Sequence, residues 1–104
     1  MPDGAEGAAS VVRVVDNPDR ARFEAYVGDE LAGFVTYRLR PGRIVFNHTE
    51  VDDAFEGHGV GSRLAREVLD EARARGLAVN PVCPFIRAYI DHHAEYADLV
   101  VPGG

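Results

Sequence analysis

Through its first half the chain alternates apolar and polar residues with the period of two that a strand with one buried face requires. VVRVV (11–15) predicts a first strand, closed by the turn DNPDR, in which Pro18 fixes φ. RFEAYV (22–27) predicts a second, ending at the hairpin signal Gly28-Asp29. ELAGFVTYRLR (30–40) and RIVFNHTEV (43–51) predict a third and a fourth, joined by Pro41-Gly42, which suits the two central positions of a type II turn. A two-residue loop sets Arg40 opposite Arg43, Val35 opposite His48 and Gly33 opposite Glu50. Alternation then places Ile44, Phe46, His48 and Glu50 on one face, with room beside Glu50 where Gly33 has no side chain.

At Val60 the period changes. Leu64, Val68 and Ala72 recur every four residues, flanked by Ala65 and Leu69, so one apolar stripe predicts a helix from Val60 to Arg75. Its polar face carries Arg66, Glu67, Asp70 and Arg73; Glu71 and Arg75 stand at i, i+4 in the favourable order, and Gly76 is placed to end it. LAVNPV (77–82) predicts a short strand and CPFIRAYIDHH (83–93) a second helix, with Pro84 at its first position and two histidines in its last turn. AEYADLV is a short terminal element. The order β-β-β-β-α-β-α predicts an α/β (α+β) domain: an antiparallel β-meander, a β-α-β crossover and a C-terminal helix.

Composition narrows the class. A chain of 104 residues builds one domain, burying roughly 65% of its unfolded surface. Residues 1–10 are Gly/Ala-rich, acidic and aperiodic, and are expected to form a disordered leader before the domain at 11–104. They lack the basic and apolar regions of a targeting peptide. No segment is apolar enough to cross a bilayer, which argues against a membrane partner. The one cysteine, Cys83, excludes an internal disulfide framework, and a cytoplasmic setting is expected. A net charge of −6 argues against a sequence-independent nucleic-acid binder. All eleven basic residues are arginines.

EGHGVGSRL (56–64) carries the chemistry. Gly57, Gly59 and Gly61 precede a helix whose first amides are free and whose dipole adds roughly half a positive charge. Such a place accepts an anion, a phosphate above all, with a hydroxyl from Ser62 and a charge from Arg63 at hand. A tight strand-to-helix connection has the same composition. No Gly-Lys-Ser/Thr follows, so the loop is not a Walker A loop, and the strand before it belongs to a meander rather than a dinucleotide unit.

VDDAFEGHGVGSRL (51–64) resembles the acyl-CoA-binding motif of the GNAT superfamily of N-acetyltransferases, and the flanking order of elements is similar to that fold over roughly residues 11–98. The resemblance implies a minimal GNAT-like fold, with the amides of Gly57, His58, Gly59, Val60 and Gly61 on the pyrophosphate of acetyl-CoA. Ser62 and Arg63 stand beside them. Backbone groups around Thr49 and Val51 would pair with the pantetheine as an added strand. Glu56 stands where Gln or Arg is usual, so its side chain is expected to turn away while His58 and Arg63 supply the compensating charge. CPFIRAYI resembles a group of roughly hundred-residue members with a Cys-Pro-Phe motif, whose Pro84 and Phe85 would also border the coenzyme. The short DNPDR connection replaces helices that usually help to form the acceptor site, so that side should be open.

Acetyl transfer to an amine needs a base, donors for the thioester oxygen and an acid for the thiolate. Glu50 and His48 are the candidate bases, or else ordinary polar strand residues. Cys83, at a strand's end and a helix N-cap, has three open roles: nucleophile forming an acetyl-enzyme, site-lining group, or packing. Tyr89 is the candidate acid, or a rim tyrosine, on a helix face it shares with Phe85, Ile86 and Ile90. His92 and His93, adjacent on a helix, do not converge on one point, and no metal site is expected. Three functional classes follow: an N-acetyltransferase acting on an amine such as a basic peptide or polyamine, a non-catalytic acetyl-CoA-binding or regulatory module, or a protein-interaction domain whose glycine loop is only a turn. The oligomeric state is not specified by any of these patterns.

Overall fold

A computed structural model describes residues 11–101; the expectation for residues 1–10 lies outside the described residues. Five strands form one sheet in chain order: β1 (Arg13–Asn17), β2 (Arg22–Val27), β3 (Glu30–Arg40), β4 (Arg43–Val51) and β5 (Ala78–Pro81). Helix α1 (Val60–Ala74) links β4 to β5, which pair in parallel, and α2 (Pro84–Asp91) follows. Short 3₁₀ turns occupy Pro18–Arg20, Asp53–Phe55 and Ala94–Leu99. The meander, the crossover and the last helix stand where the residue patterns put them. The first strand begins two residues later than expected, because Val12 is buried ahead of the ladder rather than in it.

Local chemistry accounts for the boundaries. Gly42 takes φ +73°, the left-handed value that the third position of a type II turn requires. Helix α1 ends in a Schellman arrangement, the Leu77 amide donating to Ala72 O at 2.9 Å and the Gly76 amide to Arg73 O at 3.0 Å. Arg75 Nε donates to Glu71 Oε2 at 2.8 Å. His93 Nδ1 lies 2.8 Å from Tyr89 O, so the histidines close α2 as the sequence leads one to expect.

The β3–β4 register departs from the sequence expectation halfway along. Arg40 does face Arg43, and pairing holds through Tyr37↔Phe46. Asn47 is then an extra residue on β4, and beyond it Thr36 faces His48, Val35 faces Thr49 and Gly33 faces Val51. A bulge of this kind reverses side-chain parity. Ile44 and Phe46 are buried at 1% and 0% exposure, whereas His48 and Glu50 lie exposed on the opposite face. The expected single face of Ile44, Phe46, His48 and Glu50 is therefore wrong, as are the Val35–His48 and Gly33–Glu50 pairings. Gly33 does not leave room for the Glu50 side chain either. A Cβ there would come 2.6 Å from the Glu50 carbonyl oxygen, so the glycine permits a close backbone approach.

Both helices pack on one face of the sheet. Leu64, Val68 and Leu69 of α1 and Ile86 and Ile90 of α2 share one core with Phe23, Val35, Ile44 and Phe46. The other face is coated by its own side chains. There Glu24, 4% exposed, accepts from Arg22 Nε at 2.7 Å, Tyr26 Oη at 2.9 Å and Asn17 Nδ2 at 3.1 Å. Burial pushes the Glu24 carboxyl up, but these donors outweigh it and hold the group below its usual range.

Candidate functional site

Two glycines in the loop before α1 and one in its first turn serve two physical purposes. Gly57 and Gly59 take φ +86° and +75°, conformations that side chains resist, with open space around them. Gly61 is different: a Cβ there would meet the Phe85 ring at 2.9 Å, so its absence lets α1 and α2 approach. Gly59 is the N-cap and offers no side-chain cap. The first intrahelical bond runs from the Arg63 amide to Gly59 O at 3.0 Å, which leaves the amides of Val60, Gly61 and Ser62 with no partner inside the helix. Those amides and the dipole make a positive pole. The His58 amide is engaged, donating to Phe55 O at 3.2 Å.

A concavity of about 240 Å³ opens at this pole, lined by Val12, His58, Gly59, Ser62, Arg63, Arg66 and Tyr89. The His58 ring stands edge-on to Phe55 at 5.9 Å. Arg63 Nε bonds Glu67 Oε2 at 2.9 Å, whereas Arg66 enters no ion pair among the described residues. Sequence reasoning missed Arg66 and Val12. The signal for Arg66 was its position one turn after Ser62 and Arg63, while nothing marked Val12. Tyr89 stacks on His93 with ring centroids 3.9 Å apart, and burial pushes its phenol up, so it stays protonated. Glu56 is exposed and does not line this concavity.

The second feature is an opening in the sheet. β4 and β5 pair only from Arg43↔Ala78 to Phe46↔Pro81, and the Cys83 amide donates to Phe46 O at 2.8 Å. The Asp52 amide donates to Ala32 O at 2.8 Å. Ladder alternation then directs the backbone groups of His48 and Glu50 toward β3 and those of Thr49 and Val51 away from it, where β5 has ended. The bulge and the end of β5 thus expose one edge of β4. The side chains divide there. Thr49 Oγ1 and Cys83 Sγ lie 3.2 Å apart on the helix side, with Cys83 only 2% exposed. His48 Nε2 and Glu50 Oε2 lie 3.0 Å apart on the bare side, both more than half exposed.

The four candidate catalytic residues are therefore not brought to one point. His48 pairs with Glu50 on the bare face and Cys83 with Thr49 across the edge, while Tyr89 lies six residues past Cys83, roughly 9 Å along α2. Pro84 is the first residue of α2, and Phe85 packs over Gly61 with 41% of its surface exposed. Among the described residues no group of three or more His, Cys, Asp or Glu side chains is placed to hold a metal, and no helix is long and apolar enough to cross a membrane.

Comparison with known proteins agrees with this architecture. The family profile described as GCN5-related N-acetyl-transferase matches residues 22–99. Protein NATD1 of Homo sapiens is 28% identical over 106 residues, covering 98% of this chain and 94% of its own length. Its Mus musculus counterpart is 28% identical over 105 residues, covering 97% and 96%. The solution structure of a GCN5-like protein from Staphylococcus aureus superposes with a TM-score of 0.66 at 24% identity, over 86% of this chain and 87% of that one. That last likeness is one of fold.

Proposed function

The chain belongs to the GCN5-related N-acetyltransferase family, and on that premise we propose that it binds acetyl-CoA and transfers the acetyl group to an amine. One observation carries the reading: a strand edge freed by a bulge lies beside a helix N-terminus with unpaired amides. The two features suit the two polar parts of the coenzyme. The amides of Val60, Gly61 and Ser62, together with His58, Arg63 and Arg66, would hold the diphosphate. The edge groups of Thr49 and Val51 would hold the pantetheine arm by strand addition. Glu56 would contribute no donor, its amide being engaged with Asp53 O at 3.2 Å; Phe85 and Pro84 would form a wall, and Tyr89 would set a protonated hydroxyl beside the phosphates.

When bound, the coenzyme supplies an acyl thioester, whose C–S bond is exchanged for a C–N bond, leaving a free thiol and a proton from an amine that arrives charged. The chain's own residues do the rest. Glu50 takes the amine's proton from the bare face, with His48 orienting its carboxylate at 3.0 Å. Cys83, buried and paired with Thr49, lines the opening and holds the edge in place. Its place in the Cys-Pro-Phe group belongs to this same reading. The net charge of −6 draws amines such as basic peptides or polyamines to the molecule as a whole. A lone thiol suits a reducing, cytoplasmic setting.

Release of free CoA in the presence of a panel of amines tests the proposal. Glu50→Gln should lower kcat by roughly 10²–10⁴ while acetyl-CoA affinity stays unchanged; undiminished turnover removes Glu50 from the mechanism. The exposure of the His48–Glu50 pair favours a second reading, a coenzyme-binding module without turnover. Coenzyme affinity with no CoA release from any amine would establish that reading.

A further inference from the structure

The sheet face without helices sorts charge by sign along the β3–β4 hairpin. Arg38 and Arg40 alternate with Tyr37 and Leu39 and so stand on this face, and Arg43 lies directly opposite Arg40. Arg20 joins Arg38 in lining a concavity of about 590 Å³ beside Leu39 and Asn47. None of these four arginines enters an ion pair among the described residues, whereas Arg22, Arg63, Arg73 and Arg75 all do. At the other end of the hairpin, Glu50 and Asp52 line a cavity of about 110 Å³ with Leu31, Gly33 and Phe34. Asp29, Glu30 and Asp53 adjoin it in sequence and add to the same sign.

Two arginines facing each other across a hairpin repel and weaken it. Folding gives no reason for that arrangement, but an anionic partner does. Phe34 faces Glu50, and along β3 the distance from Phe34 is roughly 14 Å to Arg38 and roughly 20 Å to Arg40.

Building on the acetyl-transfer reading, we propose that the acceptor is an extended peptide with an amine at Glu50 and Asp52 and carboxylates about four to six residues away, held by Arg38, Arg40 and Arg43. Its alkyl stem lies against Phe34 and Leu31, leaving the ammonium at the carboxylates. A long polyamine fits poorly despite the negative net charge, because its farther charges fall among the arginines.

The test uses capped peptides with one lysine and three glutamates, three serines or three arginines four to six positions away, on either side in turn. At low salt, kcat/KM for the better glutamate peptide should exceed that of its serine and arginine counterparts by about tenfold, the worth of a few exposed charge pairs. Peptide affinity read by fluorescence anisotropy should follow the same order, so the test does not depend on turnover alone. The preference should shrink to less than about twofold in the triple variant Arg38→Gln/Arg40→Gln/Arg43→Gln, with acetyl-CoA affinity unchanged. Arg40→Glu alone should move the preference toward the arginine peptide. Equal behaviour of the three peptides, or a preference that survives the triple variant, overturns this proposal and leaves acetyl transfer standing. Failure of the unaltered protein to bind acetyl-CoA overturns the reading beneath it as well.

Discussion

Strand β4 has two halves that Asn47 divides. From Arg43 to Phe46 it is paired on both edges and turns Ile44 and Phe46 into the core. From His48 to Val51 it is paired only with β3, and its side chains divide between Thr49 beside Cys83 and the exposed His48–Glu50 pair. The backbone chemistry is the same in both. What differs is how much of it remains unspent: the first half has no free donors or acceptors, while the second keeps those of Thr49 and Val51. A one-residue insertion and the end of β5 turn a fully paired strand into one with a free edge.

Substitutions should separate the halves. Phe46→Ala empties a site of 0% exposure and should cost about 3–5 kcal/mol in chemical denaturation, with coenzyme affinity of the folded protein within about twofold of the original. Collapse of coenzyme affinity would mean the halves are not independent. Gly33→Ala sets a Cβ 2.6 Å from the Glu50 carbonyl and should cost about 1–3 kcal/mol. Because it displaces the second half, coenzyme affinity should fall with stability in this variant.

A pH scan reads the first half in another way. Tyr37 pairs with Phe46, and its phenol is pushed up to about 12 by burial and then by its bond to Asp16. The unfolded chain releases that proton near pH 10. The stabilisation is therefore complete below pH 10 and is lost as pH rises toward 12. Tyr96, raised by burial and by Asp70, adds to the loss, so Tyr37→Phe should flatten the decline in part. The smallest effect belongs to the second half: His48→Ala, at an exposed position, should change stability by less than about 0.5 kcal/mol.

The elements were legible in the sequence because each carried its own periodicity and punctuation. Alternation marked β2 to β4, the Leu64-Val68-Ala72 stripe marked α1, and Pro41-Gly42 and Gly76 marked a turn and a helix end. The glycine loop was legible as a turn leading into a helix with free first amides, though not the division of labour among its glycines. Gly57 and Gly59 answer to backbone conformation, but Gly61 answers to Phe85, a tertiary contact that no local pattern reports. The bulge was missed because Asn47 carries no glycine to announce it. Its trace was a change of phase, with apolar residues at Ile44 and Phe46 on even positions and at Val51 on an odd one. Arg66 went unassigned because its spacing of one turn from Ser62 and Arg63 was read only as part of the polar face of α1, and the concavity it shares with His58 appears in the fold.

The central claim is that the freed edge and the helix pole together hold coenzyme A. Titration of the ¹⁵N-labelled protein with coenzyme A, followed amide by amide, tests it most directly. Saturable shifts confined to Thr49, Val51 and the amides from Gly57 to Ser62, with Ile44, Val45 and Phe46 unmoved, are the expected result. No shifts at millimolar coenzyme, or shifts centred away from both features, would contradict it.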